Sequence, residues 1–141
     1  MTLPVVGDLA PWADPQVVSI HRLPMRSQIT SYADIASARV AKRDGSPWHM
    51  SLNGKWNIAR YEDVADVPTD AITGNCEQWK SIDIPGNWTL AGLGDLPHYT
   101  NVQMPWQGRP PSLPATVATA VHRRTFTLKG AWKSRRTILH I

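Results

Sequence analysis

Hydrolysis by paired carboxyls needs two acids about 5–5.5 Å apart across the bond to be broken. This chain offers only two glutamates, Glu62 and Glu77, with nine aspartates scattered mostly through loop-like sequence. Both glutamates border a polar stretch without a histidine beside them, the pattern of solvated surface carboxylates. The five histidines are His21, His49, His98, His122 and His140. No two stand three to five residues apart, so zinc-ligand spacing is missing. No G-x-S-x-G elbow occurs. Gly92-Leu93-Gly94 opens like a dinucleotide loop, but Pro97 takes the place of the third glycine and no helix pattern follows. Cys76 is the lone cysteine, so no internal disulfide forms, and without a neighbouring histidine it reads as structural. The remaining chemistry lies in Asn101. Its amide carries donors and an acceptor, a match for a ligand rich in hydroxyls. It sits in a loop between Tyr99 and a proline-stiffened stretch, where loops commonly carry binding groups. The competing reading is an asparagine that simply forms a turn.

The elements that position these residues are short. Twelve prolines and nine glycines break the chain too often for long helices. Residues 1–29 read as an extended arm broken by Pro4, Pro11, Pro15 and Pro24. Residues 31–42 form the best helix candidate: alanine-rich, with Asp34 near the start and basic residues at the end, stopped by Gly45 and Pro47. The period then changes to two. Over 52–61, Trp56, Ile58 and Arg60 fall on one face and Lys55, Asn57 and Ala59 on the other. Residues 79–84 predict a strand with Ile82 and Ile84 on one face, and 121–128 another with Phe126 and Leu128 buried. A further strand is expected to start at 137–141. Residues 63–75 and 91–97 read as loops, and Pro105, Pro110, Pro111 and Pro114 keep the following stretch out of any central strand. Short strands separated by turns predict an all-β sandwich. Its last strand ends without a partner, so the sandwich is expected to be incomplete at the C-terminus and marginally stable alone.

Composition narrows the function classes. Apolar residues make up 42% of the 141, ordinary globular usage that one domain can bury. Seven tryptophans against one phenylalanine is unusual, and most of the seven are expected in the core. The net charge of +4 is spread along the sequence and reads as solvated faces, not as a nucleic-acid stripe. No apolar run is long enough for a membrane span, and no signal peptide opens the chain. With a single cysteine, this points to the cytoplasm. Asn87-Trp88-Thr89 matches the glycosylation sequon by chance on that reading.

Five segments in order carry a resemblance. They are Trp12-Ala13-Asp14-Pro15-Gln16-Val17 with His21-Arg22-Leu23-Pro24, then Ser51-Leu52-Asn53-Gly54-Lys55-Trp56, then Ile84-Pro85-Gly86-Asn87-Trp88. Tyr99-Thr100-Asn101-Val102 with Met104-Pro105 follows, and His122-Arg123-Arg124-Thr125-Phe126 closes the series. Together they resemble the N-terminal sugar-binding domain of the β-galactosidases of glycoside hydrolase family 2, over about residues 11–141. The chain departs from that pattern at Ala115-Thr116-Val117-Ala118-Thr119-Ala120, where the family often has Asn-Pro-Thr-Gly, and at His122, which replaces a tyrosine.

The resemblance implies a jelly-roll β-sandwich over residues 46–141, preceded by an arm and short helix over 1–45. It implies that Asn101, with the Val102 backbone, contacts the galactose of a β-galactoside. The glutamates that hydrolyse with retention, and the magnesium and sodium sites, would lie in a (β/α)₈ barrel that this chain lacks. The chain is thus expected to be a fragment without a cofactor of its own, whose partners are the sugar and either the missing barrel or an oligomer partner. The alternatives are a stand-alone carbohydrate-binding module and a fragment that complements an incomplete enzyme.

Overall fold

The computed structural model describes residues 10–71, 73–99, 101, 106–109 and 112–141. The chain divides into two units: Met1–Leu23 with Gly54–Arg124, and Pro24–Asn53 with Thr125–Ile141.

The first unit is built on three antiparallel strands, β1 (Gly54–Tyr61), β2 (Lys80–Ile84) and β3 (Thr119–Arg123), in the order β2-β1-β3. Alternation of aromatic and β-branched residues with polar ones suits a sheet with one covered face. The register bears the alternation out: Trp56 lies opposite Ile82, and Lys55 opposite Asp83. Ile58, 1% exposed, and Ile82, 6% exposed, are buried on the Trp56 face. On the other face the Asn57 amide lies 3.5 Å from the Cys76 sulfur, and the Arg123 guanidinium donates to the Gly74 carbonyl. The 74–76 loop is thereby fastened across that side. After β1 the carboxylate of Asp63 caps a 3-10 turn (Val64–Asp66), and Asp66 returns the bond to the Asp63 amide. The second Asp63 oxygen accepts from the Val117 amide at 3.0 Å, which ties the turn to the segment entering β3.

The second unit holds α1 (Ile35–Val40). Asp34 accepts from the Ser37 amide at 2.7 Å, and the Ser37 hydroxyl accepts from the Asp34 amide. This reciprocal cap sets the start. Ala41 adopts a left-handed conformation and ends the helix. The helix is therefore half as long as the alanine-rich stretch 31–42 suggests. Ser46, 4% exposed, donates to the Ser31 carbonyl and accepts from the Trp48 amide. The Trp132 indole donates to the Pro47 carbonyl at 3.0 Å.

The fold is all-β, with an open sheet and one short helix as expected. Several local expectations need correction. The third strand is Thr119–Arg123 and does not run to residue 128, and no strand forms at 137–141. Phe126 and Leu128 are 47% and 42% exposed, because no neighbouring strand covers them among the described residues. None of the seven tryptophans is fully buried: Trp12 and Trp106 are exposed and the other five are half-buried. A side chain that large reaches a surface in a small core, and its N–H keeps a wet edge tolerable.

Candidate functional site

The site residues lie on loops of the first unit beyond β2. The Asn87 side chain accepts from the Thr89 amide at 3.0 Å and from its hydroxyl at 2.8 Å, capping a 3-10 turn (Trp88–Leu90). Gly86 precedes this cap for a steric reason. A Cβ there would collide with the Asp83 carbonyl oxygen. The motif Ile84-Pro85-Gly86-Asn87-Trp88 thus serves to turn the chain out of the sheet. Gly92 and Gly94 follow with φ of +67° and +91°, conformations open to glycine.

The loop then reaches His98, Tyr99, Asn101 and Trp106. The Asn101 amide nitrogen donates to the Tyr99 hydroxyl at 2.7 Å. Both side chains are exposed, Tyr99 to 75%. The bond orients the amide and leaves its carbonyl oxygen and second N–H without a partner among the described residues. His98 and Trp106 stand with ring centroids 6.0 Å apart, tilted by 47°. Within nine residues the chain therefore presents an oriented amide, a phenol, an imidazole and an indole at the surface. An amide can pair two hydroxyls, and an aromatic face suits the C–H face of a sugar ring. Val102 lies outside the described residues, as do Pro105, Pro110 and Pro111 of the proline-stiffened stretch.

The two glutamates lie in different local settings. Glu62 receives both terminal nitrogens of Arg60, the second at 3.0 Å. That bidentate bond holds the Glu62 carboxyl below its ordinary pKa, and the same bond raises Arg60. A general acid needs the opposite shift. Glu77 sits in a turn whose amide donates to the Asn75 side chain at 2.9 Å. Among the described residues no three His, Cys, Asp or Glu side chains are grouped to hold a metal. Likewise, no helix there is long and apolar enough to cross a membrane.

Sequence reasoning singled out Asn101, but not the Tyr99 hydroxyl that its amide meets or the His98–Trp106 pair. The signal was the clustering of His98, Tyr99, Asn101 and Trp106 after two glycines in one loop.

The sequence is similar to known proteins. The chain is 33% identical over 132 residues to the β-galactosidase of Yersinia pestis bv. Antiqua (strain Angola), covering 94% of this chain and 12% of that relative. The β-galactosidase of Yersinia pseudotuberculosis serotype O:1b (strain IP 31758) matches with the same identity and coverage. The chain thus spans about 12% of the length of these curated relatives. The family model described as "Glycosyl hydrolases family 2, sugar binding domain" matches residues 49–141, the span of the sheet and the aromatic loop. The chain belongs to that family, within its sugar binding domain.

Proposed function

We propose that this chain is the sugar-binding N-terminal portion of a β-galactosidase and that Asn101 hydrogen-bonds the galactose. The observation that carries the reading is the Asn101 amide, held by the Tyr99 hydroxyl at 2.7 Å in an exposed aromatic loop. Membership in a family of sugar binding domains and the match to β-galactosidases support it. The Val102 backbone is the second sugar contact in this reading. The sandwich over residues 46–141 is of the jelly-roll class, with residues 1–45 as its arm. The protein works where β-galactosides are cleaved in the cytoplasm.

Asn101 acts by position. One amide hydrogen is spent on Tyr99, so the oxygen and the other hydrogen face the ligand in a fixed plane. Hydrolysis with retention requires two further carboxyls and falls to polypeptide beyond these residues. The magnesium and sodium of such enzymes belong there too.

Equilibrium dialysis against galactose, together with a nitrophenyl β-galactoside assay, tests the reading. The expected result is galactose binding without cleavage. Cleavage by the pure chain, or binding of glucose as tight as galactose, would contradict it.

A further inference from the structure

The second unit carries a charge that the whole chain conceals. Its sequence holds eight Lys and Arg against two acids, Asp34 and Asp44, a formal +6. The remaining residues carry seven against nine, a formal −2. Both acids of the second unit are engaged, Asp34 at the start of α1 and Asp44 at 3.3 Å from the His49 Nδ1. Four of the eight basic residues converge on one open cavity of about 870 Å³ lined entirely from this unit. Arg26, Arg43, Arg135 and Arg136 line it, and no carboxylate does among the described residues. Four exposed guanidiniums around one open space set up a positive field there, which salt screens only in part at short range. They need anions.

The shape and lining of the cavity decide which anion. Arg135 lies 3.5 Å above the Trp48 ring, and Arg43 donates to the Gln28 side chain at 3.2 Å. Each thus has a neighbour that favours one orientation, and an oriented guanidinium fork matches a carboxylate bidentately. Between the arginines the same cavity exposes Ile29 (77%), Leu139 (63%) and Phe126 (47%). An inorganic anion would leave that apolar surface wet. The lining backbone at 125–129 and 136–141 forms no strand, so it is not committed to a ladder and remains open to added polypeptide. We propose that this cavity docks a polypeptide segment that alternates carboxylate and apolar side chains. The carboxylates meet the arginine forks, and the apolar side chains cover Phe126, Ile29 and Leu139. The proposal does not depend on the sugar reading of Asn101.

The test uses the 141-residue chain and an acetylated peptide of four Val-Glu repeats. Binding is followed by tryptophan fluorescence, with Trp48 and Trp132 lining the cavity. The matching Val-Lys peptide, poly-glutamate, inorganic phosphate and a short single-stranded DNA serve as competitors. We expect the Val-Glu peptide to bind and the Val-Lys peptide not to. Binding should weaken at least tenfold in the double variant Arg26→Gln/Arg136→Gln and stay unchanged in Arg109→Gln of the first unit. Higher salt should weaken it too. Should the double variant lose its circular dichroism, an amide chemical-shift map of the wild-type chain decides the matter. Shifts confined to 24–53 and 125–141 support the proposal, and shifts confined to 54–124 overturn it. It is also overturned if the peptide does not bind, or if phosphate, poly-glutamate or DNA binds as tightly. The last outcomes would mean a small-anion or nucleic-acid site instead.

Discussion

Asn101 shows what a single residue type can and cannot say. Its amide chemistry alone left turn-forming and sugar-binding readings side by side, and five ordered segments were needed to favour one. The Tyr99 bond adds a physical reason for its orientation, since an amide with one hydrogen fixed presents its remaining groups in one plane. Gly86 is the opposite case, a residue whose purpose is invisible until neighbours are placed. The collision of a Cβ with the Asp83 carbonyl gives a direct expectation. Gly86→Ala should lower stability by about 1–3 kcal/mol, the usual cost of forcing atoms into filled space, as measured by urea denaturation. An unchanged midpoint would show that the turn relaxes freely. The four cavity arginines were equally illegible. Arg26 and Arg43 stand about ninety residues or more from Arg135 and Arg136, and dispersal in sequence hid their convergence.

At the scale of elements, period-two alternation placed β1 and β2 to within two residues, because the two are paired in one sheet and bury the same face, at Ile58 and Ile82. The same alternation overran β3. Thr125 to Leu128 has the pattern of a strand, but pattern forms a ladder only where a partner strand is present. The helix was overextended because propensity does not reveal caps. The Asp34–Ser37 pair and the left-handed Ala41 set its limits. Ile58 is the centre of the sheet at 1% exposure, so Ile58→Ala should cost about 2–5 kcal/mol. With Ile58, Ile82 and Ala71 as the buried apolar residues among those described, we expect that loss to abolish the cooperative denaturation transition. A small, cooperative shift would mean that the sheet is held elsewhere. Asp63 links two elements and carries a pH dependence. Bonds from the Ala65 amide, and then the Val117 amide, hold its carboxyl below the ordinary value. Its stabilisation is therefore fully present above the unfolded value of about 3.9 and is lost as pH falls through the lower folded value. Asp63→Asn should flatten the acid limb of the stability profile. An identical profile for variant and wild type would remove Asp63 from that role.

At the scale of the whole molecule, composition was a fair guide to class and a poor one to charge. Short strands, many turns and no long helix gave the all-β fold, while the net +4 is the sum of a unit at +6 and one at −2. The seven tryptophans misled for a related reason: so few positions are buried that large side chains stay at the boundary. Family membership places residues 49–141, which include the sheet and the aromatic loop, within a sugar binding domain. The claim that rests most weight on one residue is that Asn101 reads galactose. The measurement that tests it most directly is a galactose titration of the ¹⁵N-labelled chain, with the side-chain amide of Asn101 as the reporter. The account predicts that this amide and the backbone amides of His98, Tyr99 and Trp106 shift together. In Asn101→Ala the affinity should fall by about 1–3 kcal/mol, the cost of hydrogen-bonding groups left unmet. If galactose leaves that amide unmoved, or binds Asn101→Ala as tightly as the wild type, Asn101 does not contact the sugar.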